Sequence, residues 1–233
     1  MIINNASVNK YLNQDCKSIE GWLHGVSKSI IPIINEGQQK LGVKGDAVEI
    51  GCWHGLTLLL LDKLLGDDEV VDGFDIEIKK ELMDNIKKFG SKKCYVHQTD
   101  TTKINGGGGI QKARSGINKI RLFHVDGYHT FNNAYNDLKL AIETTDRTGI
   151  IMLDDFFSCT LPGVTEALYF IFNNNQNSRF FPFAIGGAKC YLCDKDYIGY
   201  YRDLLFDNMP VKALNSKDVS FMFGNEVAIY QLY

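Results

Sequence analysis

The sequence predicts an α/β fold: a doubly wound, mostly parallel sheet that ends in antiparallel strands and is preceded by a helical segment. Three observations carry this prediction. Short apolar runs alternate with helix-forming stretches from Asp46 to Asn173, the signature of strands and covering helices. The first run breaks into a glycine corner, Val48-Glu49-Ile50-Gly51-Cys52-Trp53-His54-Gly55-Leu56-Thr57, that feeds a leucine-rich stretch. Beyond Asn177 the texture changes to short aromatic and β-branched runs, which suit paired antiparallel strands.

Taken in order, residues 1–45 form an N-terminal helical segment and residues 46–233 a single domain. Within the first segment, Ser18 to Leu41 reads as helical, with Ile19, Trp22, Leu23, Val26 and Ile30 at helix spacing and Pro32 as an interruption. A packing or lid role is the modest reading, and His24 is placed on that helix. Strands are expected at Asp46–Ile50, Val70–Phe74, Cys94–Val96, Ile120–Val125 and Gly149–Leu153, bounded by turn residues. Helices are expected between them at Leu56–Leu65, Ile78–Phe89, Asn132–Ile142 and Val164–Asn173. Gly106-Gly107-Gly108-Gly109 reads as a flexible link before a helix-like Ile110–Ser115. Late strands are expected at Phe180–Ile185, Lys189–Cys193 and Val227–Leu232, with Gly186-Gly187 as a hairpin turn between the first two.

The chain of 233 residues is 45% hydrophobic, enough for a sizeable core. Its net charge of −3 gives no general attraction to nucleic acid or to an anionic membrane. The lysine pairs at 79–80, 87–88 and 92–93 are candidate basic patches, but charge runs on predicted helices such as Ile78–Phe89 are ordinarily solvated faces. The longest apolar stretch, Leu56–Leu61, is far too short to span a bilayer. Six cysteines occur behind a polar, Asn-rich start that does not resemble an export segment, so free thiols in a cytoplasmic protein are expected. Cys190-x-x-Cys193 has a metal or redox spacing, but no second pair follows it, and its strand-like setting favours core and edge positions. Pairing of identical copies is left open.

Function in such sheets gathers at the carboxyl ends of the strands. The corner at Gly51 and Gly55 places backbone N–H groups and a helix N-terminus beside Glu49, a setting for a nucleotide-like ligand. It is not the G-x-G-x-x-G of dinucleotide binders. Trp53 suits a cleft wall and His54 a ligand contact, although an aromatic there serves core packing equally well. Asp75 stands at the end of the second strand, about 20 residues past the glycine turn, where a carboxylate holds a ribose diol. An N-cap is the alternative for that residue. Asp100, in Thr99-Asp100-Thr101, suits a polar contact with an adenine edge. The fourth strand runs into Asp126-Gly127-Tyr128-His129 and the fifth into Asp154-Asp155. If these strands are neighbours, three carboxylates converge and require a cation or raised pKa values. Hard oxygen ligands favour Mg²⁺, Mn²⁺ or Ca²⁺ over zinc. His129 lies where a neutral imidazole could take a proton from a substrate hydroxyl. Capping of the following segments is the competing use of His129, Asp154 and Asp155.

Together these motifs resemble the class I S-adenosyl-L-methionine-dependent methyltransferases, whose fold is Rossmann-like. More narrowly they are similar to the branch of macrocin-type sugar O-methyltransferases and other small metal-assisted O-methyltransferases. The residues that carry the resemblance are Val48 to Thr57, Gly73-Phe74-Asp75, His124 to Thr130, Leu153-Asp154-Asp155 and Pro162-Gly163-Val164. The sequence departs from the usual pattern at Trp53-His54, Tyr128 and Gly106–Gly109. The resemblance implies that Glu49, Gly51 and Gly55 wall the methionine side of the cofactor, that Asp75 binds its ribose and that Asp100 lies near its adenine. It implies that Asp126, Asp154 and Asp155 hold a divalent cation, with His129 or Asp126 as general base. The function expected is methylation of a small hydroxylated acceptor, sugar or catechol-like. A non-catalytic cofactor-binding module is the alternative, and a nicotinamide-dependent oxidoreductase a weaker one.

Overall fold

The computed structural model describes residues 5–174, 178–210 and 216–231. Strands β1 (Asp46–Ile50), β2 (Val71–Asp75), β3 (Cys94–Gln98), β4 (Ile120–Val125) and β5 (Thr145–Leu153) pair in parallel in the order β3-β2-β1-β4-β5. Beyond β5 the sheet continues through β7 (Lys189–Asp194), β6 (Phe180–Gly186), β9 (Asn225–Gln231) and β8 (Ser216–Met222). The β5–β7, β6–β7 and β8–β9 pairings are antiparallel, whereas β6–β9 is parallel.

Eight helices cover the two faces among the described residues: α1 (Ala6–Asn13), α2 (Ser27–Lys40), α3 (Leu56–Leu64), α4 (Lys80–Phe89), α5 (Gly106–Ala113), α6 (Phe131–Thr144), α7 (Pro162–Asn174) and α8 (Ile198–Asn208). One core joins α1–α4 and α8 to the sheet through Tyr11, Ile30, Leu59, Leu82 and Tyr201. The other joins α5–α7 through Ile110, Leu138 and Leu168. Leu58 to Leu61 are all fully buried, because α3 lies between the sheet and the N-terminal helices. The doubly wound fold is as the sequence predicts.

The differences from expectation have local causes. Residues 19–26 are not helical; Ile19, Leu23 and Val26 are buried from an irregular loop, in which Trp22 is 78% exposed and His24 exposed. Helix α2 runs through Pro32, which is itself buried, so tertiary packing outweighs the lost hydrogen bond. The four glycines at 106–109 open α5 instead of forming a link. A Cβ on Gly107 would lie 2.9 Å from Thr144 Cγ2, so small residues permit the close approach to α6. The hairpin turn falls one residue later than expected, at Gly187-Ala188 (φ +60° and +61°), the geometry of a two-residue type I′ turn. Cys190 and Cys193 are free, fully buried, and face opposite cores from central β7, not from an edge. Helices α1 and α8 and strand β8 carry no strong sequence signal. The expected end of the last strand, Leu232, lies outside the described residues, as does Asn177.

Candidate active site

The carboxyl ends of β1, β2, β4 and β5 open into one cleft of about 890 Å³. Strand register brings them level: Asp126 N–H donates to Ile50 O (2.8 Å) and Asp154 N–H to Val125 O (2.9 Å). Gly51 (φ +83°) is required by this closeness, since a Cβ there would sit 1.8 Å from the Asp126 carbonyl oxygen. The glycine therefore serves the passage of a neighbouring strand as well as any ligand. Gly55, also left-handed, caps the start of α3.

Asp75 ties the corner together. Its Oδ2 accepts from the N–H groups of Cys52 (2.8 Å) and Trp53 (3.1 Å), and its Oδ1 from Glu77 N–H (3.2 Å). Two of the corner's N–H groups are thus already used by this carboxylate. Trp53 adopts φ +46°, stacks on His54 and lies under the Lys79 ammonium, with 44% of its surface exposed. His54 is nearly buried and lies 3.6 Å from Glu20. Asp100 caps the 3₁₀ turn Thr101–Lys103, accepting from Thr102 N–H and Oγ1. Those bonds and Lys103 hold its carboxyl below the usual range. Asp75, Asp100 and Trp53 all line the cleft.

At the other end, the acids of β4 and β5 do not gather as one set of three. Asp126 is common to two groupings, one with His124 and Asp154 and one with His129 and Asp155. In each, the ligand atoms lie within 4.8 Å of one another. Asp154 and Asp155 diverge because successive residues leaving a strand point to opposite sides, and Asp155 then turns at φ +53°. Left-handed backbone at a non-glycine residue costs energy and concentrates at functional sites; here both Trp53 and Asp155 flank the cleft.

The open grouping pairs His129 Nε2 with Asp155 Oδ2 (2.9 Å) and Asp126 Oδ1 (3.5 Å). Nε2 has aligned hydrogen-bond geometry with neither, so the pairing is one of charge. The two acids hold the imidazole up to about 10. Asp155 is lowered in turn, chiefly by His129. Burial and the nearby Asp154 push Asp126 up to about 7.

The inner grouping is closed by Lys189 of β7, 1% exposed, whose ammonium pairs with Asp154 Oδ2 and lies 3.0 Å from His124 Nε2. His124 Nδ1 lies 2.7 Å from Glu49 Oε1, its in-register neighbour on β1. Burial alone would raise Asp154, but the Lys189 ammonium outweighs it and its carboxyl lies below the usual range. Burial and Lys189 lower His124 to about 3, so its ring is neutral. Glu49 is raised well above the usual carboxylate range by burial and by Asp126, and its Oε2 has no hydrogen-bond partner.

Residues 48–156 match the family model described as a methyltransferase domain. The match spans a little under half of the chain, and over it the sequence is similar to methyltransferase domains. Similar solved structures carry the same fold. CalS11, a TDP-rhamnose 3′-O-methyltransferase of calicheamicin biosynthesis, is 14% identical at a TM-score of 0.54, over 80% of this chain and 92% of its own. An O-methyltransferase from Bacillus cereus in complex with SAH is 11% identical at 0.55, covering 81% and 90%. The SAH-bound methyltransferase PaMTH1 of Podospora anserina is 13% identical at 0.51, covering 84% and 98%. No curated protein matches the sequence.

The cleft thus gathers Glu49, Gly51, Trp53, Asp75, Asp100, Asp126, His129, Asp154 and Asp155, whereas Gly55 lies behind it at the start of α3. Four further residues carried no signal that placed them there. Lys189 reaches the site only through the hairpin, whose Ala188 O accepts from Phe156 N–H (2.9 Å). Trp22 and His24 arrive on the irregular N-terminal loop. Asp137 of α6 lines the cleft and accepts from Thr101 Oγ1 (2.6 Å), burial pushing it up to about 6. Among the described residues, no helix is long and apolar enough to cross a membrane.

Proposed function

We propose that this domain transfers the methyl group of S-adenosylmethionine to a hydroxyl of a small acceptor, a sugar or catechol-like ring. One observation carries the reading: a single cleft holds the glycine corner with Asp75 at one end and the partly exposed Asp126–His129–Asp155 group at the other. Asp75 keeps acceptor capacity for a ribose diol while bracing the corner, and Asp100 borders the adenine end. Glu49 Oε2, buried and unpartnered beside Gly51, suits the donor's ammonium.

Transfer is an in-line displacement, in which the sulfur–methyl bond breaks as the oxygen–methyl bond forms and the sulfonium becomes a neutral thioether. The hydroxyl proton goes to Asp126, whose affinity near neutrality suits a general base. His129, held protonated at neutral pH, fixes the two carboxylates instead of accepting the proton.

Two carboxylate oxygens fit a divalent cation at Asp126, His129 and Asp155, with Nε2 as a third ligand once the cation displaces the imidazolium proton. Asp154 does not fit, because Lys189 and the Asp155 N–H already occupy its oxygens. Bound there, Mg²⁺, Mn²⁺ or Ca²⁺ would polarise an acceptor hydroxyl and lower its pKa. Six free thiols suit a reducing compartment such as the cytoplasm, and the small negative net charge suits a small-molecule acceptor better than nucleic acid.

Calorimetric titration with S-adenosylmethionine, followed by labelled-methyl transfer to a panel of vicinal diols, tests the reading. Saturable binding with transfer supports it. Binding without transfer to any acceptor supports a non-catalytic module, and preference for a nicotinamide cofactor overturns it. Turnover unchanged in excess chelator removes the cation.

A further inference from the structure

We propose that Lys189 is a positioning residue for methyl transfer, a built-in cation that fixes Asp154 and, through His124, aims Glu49 at the donor. The inference rests on the reading that Glu49 faces the donor's ammonium. It starts from a lysine at the centre of a sheet. Lys189 is 1% exposed, and lysine is almost never fully buried unless paired. Its ammonium has two partners, Asp154 Oδ2 and His124 Nε2.

Hydrogen-bond direction follows from chemistry. An ammonium only donates, so Nε2 accepts and the ring proton resides on Nδ1. Nδ1–H therefore donates to Glu49 Oε1 at 2.7 Å. This leaves Oε2 as the unused atom of Glu49, buried and lining the cleft. A cation on β7 thus sets the orientation of a carboxylate on β1, with β4 and β5 between them. It also neutralises Asp154 within the sheet, so of the two groupings among the described residues the open one, Asp126, His129 and Asp155, is left for an exchangeable cation.

The test compares wild type with K189M and with the double variant D154N/K189M. The double variant removes both charges of the buried pair and leaves no uncompensated acid if K189M fails to fold. Three readouts are taken: the dissociation constant for S-adenosylmethionine, the imidazole ¹⁵N shifts of His124, and thermal stability. We expect wild-type His124 to carry its proton on Nδ1, and either variant to bind the donor at least tenfold more weakly. E49Q should weaken binding similarly, with little further loss when combined with D154N/K189M. A purely structural lysine would lower stability while leaving donor affinity within twofold, and that result overturns the proposal. So does a wild-type His124 protonated on Nε2. If wild type itself binds no S-adenosylmethionine, the cofactor reading fails, whereas wild-type binding that the variants retain defeats only the role of Lys189.

Discussion

Asp126 and His129 are neighbours whose proton affinities differ in the order that the proposed reaction needs. Burial and Asp154 hold Asp126 up to about 7, and the flanking acids hold His129 up to about 10. A base must be deprotonated to act, so turnover at saturating acceptor should rise as pH rises through about 7. D126N should remove this dependence and slow transfer by roughly 10²–10⁴-fold. A wild-type profile flat from about pH 6 to 8 would exclude Asp126 as the base. Both residues were legible from the sequence as strand-end groups. Their division of labour was not, because it depends on Asp154 and Asp155 lying on different sides of Asp126.

At the scale of elements, the glycine corner and the hairpin are the two turns that assemble the cleft. Replacing Gly51 with Ala puts a methyl into the Asp126 carbonyl at 1.8 Å. G51A should therefore lose both thermal stability and donor affinity, as the ends of β1 and β4 are pushed apart. Unchanged affinity measured by calorimetry would contradict this. Ala188 holds φ +61° in the hairpin, a conformation that glycine adopts without steric cost. A188G is expected to stabilise the fold by roughly 0.5–1 kcal/mol in chemical denaturation, the left-handed strain outweighing glycine's added chain entropy. The glycine run at 106–109 shows how an element escapes sequence reading. Its composition argues for a flexible link, but contact with α6 selects the helix.

Across the molecule, the opposite edge of the sheet is held by buried ion networks. Arg121, 2% exposed, pairs with Glu69 through two nitrogens and donates to Asn35 and Gln38. R121M should cost about 3–5 kcal/mol, because it strands Glu69 as an unpaired buried charge. Asp72 accepts from Ser115 and Gly116 N–H and lies 2.7 Å from His97 Nε2. Burial would raise Asp72 and Glu69, but hydrogen bonds from His97 and the two N–H groups outweigh it for Asp72, and Arg121 does so for Glu69. Both carboxyls end below their usual range. Their stabilisation is present above an unfolded pKa of about 4 and is lost as pH falls through the lower folded value. Melting curves should therefore show an acid limb that steepens below about pH 4, and a shallower one in D72N. Equal limbs in the two proteins would count against this assignment.

Local pattern was sufficient for the parallel half of the sheet. The bounds of β1 and β4 coincide with their apolar runs, and α3 begins where the glycine corner ends. The candidate residues Glu49, Asp75, Asp126 and His129 were visible for the same reason, since a strand end marks a place in this architecture whatever follows it. What the sequence alone determined was therefore the fold class and the position of the cleft. Only the tertiary structure decided how its charges are shared. Lys189 meets Asp154 and His124 across 35 and 65 residues of chain, and β7 reaches them by antiparallel pairing with β5. Charge compensation acts through space within a few ångströms, so no local run of residues encodes which acid of a cluster receives an internal cation and which is left open.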